Sequence, residues 1–253
     1  MPKNKVVSLN KLKVACKNCG LAKLCLPLGL DSGDIDQLDA IVQRNRPLHR
    51  GGHVFQTGDK FRSLYVVKTG TIKTYTQCPN GSEQVVGFHL PGEVVGLDGI
   101  ECDKHLCSAK ALETTAVCEV PFGRLEELTS SIPGLQHQLF RLMSREITKE
   151  TGLMVLLGKS TAEERLAAFL LSLSVRFHNR GFSPVEFNLS MSRQEIGSYL
   201  GLALETVSRL FTHFQEESIL LVDRKHIKIL DMDQLYNLLS NQTTCLDRLQ
   251  APN

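Results

Sequence analysis

Three cysteines stand close together near the start of the chain, in VACKNCGLAKLC: Cys16, Cys19 and Cys25. Thiolates in the pattern Cys16-x2-Cys19-x5-Cys25 suit a zinc ion or an iron–sulfur cluster, each of which takes sulfur ligands in sets of four. Spacing alone leaves the fourth ligand open among Cys78, Cys102, Cys107, Cys118 and Cys245. The chain carries eight cysteines in all, and its N-terminus MPKNKVVSLNKLK is basic without the apolar stretch of a signal peptide. No apolar run approaches the roughly 20 residues that span a bilayer. A cytoplasmic protein without a membrane partner is therefore expected, in which thiols stay reduced and grouped cysteines bind metal or do redox chemistry. At 253 residues the chain can bury real cores, so a metal is not needed as a structural staple.

A second group with chemistry in its spacing lies in MSRQEIGSYLGLALETVSRLFTHFQEESILLVDRKHIKIL. Ser192 can cap a helix carrying Ile196 and Leu200, and Gly201 permits a tight turn. A following helix then has Leu204, Val207, Leu210, Phe211 and Phe214 on its apolar side, leaving Glu205, Ser208 and Arg209 on the other. This is the arrangement of a helix-turn-helix, whose second helix offers its first turns to base edges in the major groove of double-stranded DNA. The hairpin after it would be a wing. The whole chain has a net charge of only +2. Binding would rest on placed cations such as Arg193, Arg209 and Lys225, together with helix N-termini.

Other elements must position these two groups. A short acidic helix is expected at SGDIDQLDAIVQRN. From Pro47 to Phe122 short β-type runs are cut by glycines and by the Asn80-Gly81 turn, which reads as a small antiparallel barrel or jelly roll. The period then changes. Phe140, Met143, Ile147, Glu150, Met154 and Leu157 step by three and four, the spacing of a coiled-coil seam, which predicts a long helix and a homodimer interface. Glu150 breaks the apolar pattern: it either meets its counterpart across the seam or leans toward solvent, Arg145 or Lys149. The expected class is α+β. Four stretches follow: residues 1–30 as a metal-binding segment, 31–133 as the small barrel or jelly-roll domain, 134–160 as a dimerisation helix, and 161–253 as a winged helix-turn-helix domain.

The strings GFHLPGE, ALETTAVCEVPF, RLMSREI, AEERLAAFL, RGFSP and IGSYLGLALETVSRLF resemble the CRP/FNR superfamily of bacterial transcription regulators, specifically its oxygen-sensing FNR/ANR branch. The similarity runs from about Cys16 to Leu239. It implies that residues 31–133 are a cyclic-nucleotide-binding-like β-roll sensor domain, followed by a dimer helix and a winged helix-turn-helix, and it selects Cys118, in VCEVPF, as the fourth ligand of a [4Fe-4S] cluster. Cys78, Cys102, Cys107 and Cys245 match no family ligand and are taken as incidental thiols. Gly20 sets no side chain over the site, while Leu21, Leu24 and Leu26 are expected to shield it. The family's matching Glu, Ser and Arg read a palindromic operator of the form TTGAT-N4-ATCAA, and that site is implied here. Contacts with RNA polymerase are implied for the loop CPNGSEQ and the surface around Thr114 and Arg180.

Two other functions compete. A nucleotide-sensing regulator would need a phosphate cassette; Gly92-Glu93 resembles part of one, but Cys107 stands where its arginine belongs, and a buried phosphate without that cation is costly. An iron–sulfur electron carrier or redox enzyme would use the same cysteines, yet needs neither a helix-turn-helix nor a dimer seam. No nucleophile with a base, no P-loop and no GxGxxG marks an enzyme.

Overall fold

The computed structural model describes residues 15–239. After a 3₁₀ turn at Cys16–Asn18 comes helix α1, Ser32–Ile41, capped by Asp31, whose carboxylate accepts from the backbone of Gly33 and Asp34. The helix ends earlier than its sequence pattern suggests. Val42 is extended, and Gln43–Arg44 form strand β1, paired antiparallel with Glu119 and Cys118.

Strands β2 (His53–Phe55), β3 (Ser63–Thr69), β4 (Ile72–Gln77), β5 (Glu83–His89), β6 (Val94–Val95), β7 (Ser108–Ala111) and β8 (Ala116–Pro121) complete two antiparallel sheets, ordered β1-β8-β3-β6 and β2-β7-β4-β5. Phe55, Val67, Ile72, Val95, Ala109 and Val117 come from both sheets and form one buried cluster, which makes the β-roll. Because side chains alternate along a strand, Leu64 and Val66 of β3 point the other way. There they pack with Leu26, Leu38, Val94, Val120, Leu125, Ile132 and Leu135. Leu125 belongs to α2 (Phe122–Ser131), a helix the sequence reading did not anticipate.

Helix α3 spans Pro133–Lys159, with proline in its first turn, where the missing N–H costs nothing. At 27 residues it is roughly 40 Å long. Beyond it lie α4 (Ala162–His178), β9 (Glu186–Asn188), α5 (Arg193–Leu200), α6 (Leu204–Glu216), β10 (Leu220–Asp223), β11 (His226–Ile229) and α7 (Met232–Asn237). The expected hairpin gains a third strand, in the order β10-β11-β9. Leu166, Leu170, Ile196, Val207, Phe211, Phe214 and Ile227 form the core of this lobe, and Val85, Phe88 and Leu90 of the β-roll belong to the same buried cluster. The two lobes are thus joined through a shared core as well as through α3. Polar contacts reinforce the join: Lys73 pairs with Glu195 at 3.1 Å, and the Ser198 hydroxyl accepts from Val85 N–H at 2.8 Å.

Candidate metal centre and nucleic-acid interface

Cys16, Cys19, Cys25 and Cys118 line one small cavity, of about 30 Å³, walled by Leu21, Leu26, Leu38, Val66 and Val120. The 3₁₀ turn, closed by Cys19 N–H donating to Cys16 carbonyl oxygen at 3.2 Å, sets the first two thiols. Buried Leu26 anchors the segment beside Cys25. Cys118 reaches the same place through strand register, since β8 sets it opposite Arg44 on one side and Val66 on the other. Leu21 and Leu26 shield the cavity as expected. Leu24 does not: it packs against Gly92, where an added Cβ would lie 2.9 Å from the Leu24 Cβ.

Among the described residues no group of three or more donors is close enough to ligate a single metal ion. Four thiols around a shared space are the donor type and number that an iron–sulfur cluster takes. The surroundings add two side chains that the sequence did not single out. Arg44 Nη2 donates to Cys16 Sγ at 3.6 Å and also to Asp39 Oδ1. The same Asp39 oxygen accepts from Cys16 backbone N–H at 2.8 Å. Arg44 Nε–H is buried without an acceptor among the described residues. Burial, followed by the Asp39 carboxylate, pushes the Cys16 thiol up to about 12. Burial also raises Cys25 and Cys118. These thiols stay protonated at neutral pH unless a metal displaces the proton. Cys78, Cys102 and Cys107 lie away from this cavity, and Cys245 is outside the described residues.

Around Cys107, where the arginine of a phosphate cassette would stand, the local donors are taken up from within the β-roll. Asp98 Oδ2 accepts from the N–H groups of Leu106 and Cys107 at 2.7 and 3.1 Å, and from the Cys107 thiol at 3.4 Å, so a side-chain carboxylate fills the local anion site. Glu93 turns toward the C-terminal end of α4, where Arg176 Nη2, within the helix, and Arg180 Nη2, just past it, each donate to it at 2.6 Å.

In the C-terminal lobe Ser192 and Glu195 form a reciprocal cap on α5, and Gly201 ends the helix at φ +64. Gly197 lets the chain return close: a Cβ there would lie 2.6 Å from the Leu202 carbonyl oxygen. Helix α6 then buries Val207, Phe211 and Phe214 and leaves Glu205, Ser208 and Arg209 exposed on its outer side. Ala203, at the N-cap of α6, makes no side-chain cap. Lys225 is exposed at the wing tip beside Arg224, which holds φ +55. Arg193 departs from expectation. Its guanidinium stacks over the Phe211 ring at 3.4 Å, and burial pushes it down to about 10, so it braces α6 rather than projecting.

On α3 the residues Phe140, Ile147 and Met154 are 59, 63 and 68% exposed, and Met143 shares their face. Leu157 is half-buried and leans on the Gly201 turn. Glu150 is also exposed, without Lys149, which pairs with Glu146 at 3.0 Å; partial desolvation and then the Glu146 charge raise it. Glu150 borders a second cavity, of about 130 Å³, shared with Leu24, Glu93, Lys149 and Arg176. The Arg180 side chain is only 3% exposed and is spent on Glu93, which removes it from any polymerase-facing surface; Thr114 is exposed.

A β-roll joined by a long helix with an open apolar face to a winged helix-turn-helix defines a DNA-binding regulator. Two family descriptions match: the cyclic nucleotide-binding domain over residues 45–131, and the Crp-like helix-turn-helix domain over residues 164–238. The chain is 54% identical over 220 residues to the transcriptional activator protein Anr of Pseudomonas protegens, covering 87% of this chain and 90% of that one. It is 47% identical over 225 residues to the fumarate and nitrate reduction regulatory protein of Escherichia coli, covering 89% and 90%. The solved structure of FixK2 from Bradyrhizobium japonicum superposes with a TM-score of 0.72 at 30% identity, covering 78% of this chain and 97% of that one. The chain belongs to the CRP/FNR family of DNA-binding transcription regulators, alongside the Anr and fumarate and nitrate reduction proteins. Among the described residues no helix is long and apolar enough to cross a membrane.

Proposed function

We propose that this regulator responds to oxygen through a [4Fe-4S] cluster held by Cys16, Cys19, Cys25 and Cys118. The observation that carries this is the meeting of those four thiols, from two distant parts of the chain, around one apolar cavity. When bound, such a cluster supplies oxygen-labile metal–thiolate bonds whose loss loosens the segment they order. Leu21 and Leu26 limit access by water and oxygen.

The cluster-bearing form dimerises along α3 through Phe140, Met143, Ile147 and Met154, with Glu150 setting a marginal seam by repulsion between copies. Its paired α6 helices then read a palindrome of the TTGAT-N4-ATCAA type, half-sites about 34 Å apart. Glu205 accepts from a cytosine amino group, Ser208 approaches an A·T pair, and Arg209 bonds a guanine bidentately. Activation, in the sense of the Anr name, would come from RNA polymerase contacts at the loop of residues 78–84 and around Thr114. Iron and sulfide analysis with an absorption spectrum, on protein purified without oxygen and then exposed to air, tests the reading. Four irons and sulfides per chain and their loss in air are expected for the parent, and neither for Cys118→Ala. A full cluster in Cys118→Ala refutes the ligand set.

A further inference from the structure

Cys16 is held at both its backbone and its sulfur by side chains that are not thiols. Asp39 Oδ1 accepts from its N–H at 2.8 Å, and Arg44 Nη2 donates to its Sγ at 3.6 Å while pairing with the same carboxylate. Arg44 is fixed there by the fold. Its strand pairs it with Cys118, and its side chain is 13% exposed. We propose that Arg44 is a positioning residue which, oriented by Asp39, donates to the Cys16 sulfur of the bound cluster and slows its oxidation by dioxygen; this rests on the cluster reading above.

The physical ground is the direction of charge change. Dioxygen takes one electron from the bound cluster and leaves as superoxide, so the metal site becomes one charge more positive. A guanidinium beside a ligand sulfur disfavours that change by Coulomb repulsion. Its N–H also draws electron density from the sulfur, and hydrogen bonds to sulfur are among the main determinants of a cluster's potential. Arg44 Nε–H, buried in the same place, has no acceptor among the described residues. Asp39 acts in two opposing ways: it orients Arg44, and its negative charge offsets part of the cation's effect. The two residues therefore separate in sign. Arg44→Gln removes the cation. Asp39→Asn keeps an amide oxygen to accept from Cys16 and Arg44 but removes the opposing charge.

The test uses full-length chain purified anaerobically, with iron counted per chain before rapid mixing with air-saturated buffer. Decay of the cluster's visible absorption gives the rate, and spectroelectrochemistry gives the potential. Arg44→Gln should load as the parent does and then lose its absorption about 10-fold faster, within the range usual for outer-shell partners of metal ligands. Arg44→Lys should recover part of the difference, and Asp39→Asn should decay more slowly than the parent with a raised potential. Equal rates for Arg44→Gln and the parent overturn the inference, as does Asp39→Asn decaying as fast as Arg44→Gln, which marks a packing role. If Arg44→Gln takes up no iron even without oxygen, Asp39→Asn decides: slower decay than the parent supports the inference, and equal or faster decay overturns it. A parent without iron instead refutes the cluster reading itself.

Discussion

Glu93→Gln is the sharpest test of how the two lobes are held together. The Glu93 carboxylate receives Arg176 Nε at 3.0 Å, Arg176 Nη2 at 2.6 Å and Arg180 Nη2 at 2.6 Å. All three side chains are at most 20% exposed. Removing one member of a buried ion pair costs about 3–5 kcal/mol, because the remaining charge stays in a poor solvent. Here the lower end applies. Glutamine still accepts one bond, and both arginines keep carbonyl partners, Arg176 at Phe88 and Arg180 at Pro91, each at 2.7 Å. About 3 kcal/mol at pH 7 is expected, read by urea denaturation of the air-exposed chain. The acid side gives an independent check. Burial alone would raise the Glu93 carboxyl, but the charges of Arg176, Lys149 and Arg180 outweigh it and hold the group well below the usual carboxylate range. A depressed folded value means the stabilisation is complete above the unfolded value, near 4.3, and is lost as pH falls. The gap between parent and Glu93→Gln should therefore narrow by about 1.4 kcal/mol per unit below about pH 4. A cost under about 1 kcal/mol at pH 7, or a gap that does not narrow toward pH 3, refutes the reasoning.

Arg209→Ala should weaken operator binding by about 1–3 kcal/mol and relax preference at the guanine it faces, measured by titration against half-site variants. Lys225→Ala at the wing should weaken all sequences about equally and lower the salt slope by about 1, so a sequence-dependent loss would contradict a phosphate role. Glu150→Leu should shift the sedimentation equilibrium of the air-exposed chain toward dimer, and an unchanged monomer fraction would remove repulsion at this position as a control on association. Gly197→Ala places a Cβ against the Leu202 carbonyl, 2.6 Å away. It should cost about 1–3 kcal/mol in denaturation, with operator affinity falling because the angle between α5 and α6 must open.

What the sequence discloses is what local signals encode. The cap at Ser192, the turn at Gly201 and the apolar period of α6 lie within one short segment, and the helix-turn-helix follows from them. The stepping of Phe140, Met143, Ile147 and Met154 likewise shows on α3, although Leu157, at the end of the series, is drawn toward the Gly201 turn by the neighbouring lobe. Residues brought together by register leave no such trace. Cys118 reaches the other thiols only because β8 pairs with β1 and β3, and it was distinguished from four other cysteines by resemblance alone. Arg44 and Asp39 share that dependence. Helix α2 escaped notice because its ten residues carry no side-chain cap and follow a strand directly. The role of Glu93 left no sequence trace for a related reason: its arginine partners are more than 80 positions away.

The contacts around Gly92 bring the separate parts of the molecule to one place. Leu24, in the segment that carries the thiols, rests directly on Gly92. The next residue, Glu93, is held by Arg176 of α4 and by Arg180 just beyond its end, in the lobe that bears the recognition helix. Glu150, on the exposed face of α3, borders the same cavity as Leu24, Glu93 and Arg176. Packed interiors do not deform continuously, so a shift at a tight contact tends to be absorbed at the nearest void or passed on as a change of packing. Here the void lies where the thiol segment, the dimer helix and the DNA-binding lobe converge. If loss of a cluster loosened residues 16–25, Leu24 would leave a turn whose next residue pairs with Arg176 of α4, beside a cavity that Glu150 also borders. On the proposed reading a change at the thiols would need no long route: one turn of the β-roll touches the thiol segment, and its adjacent residue pairs with the lobe that bears α6.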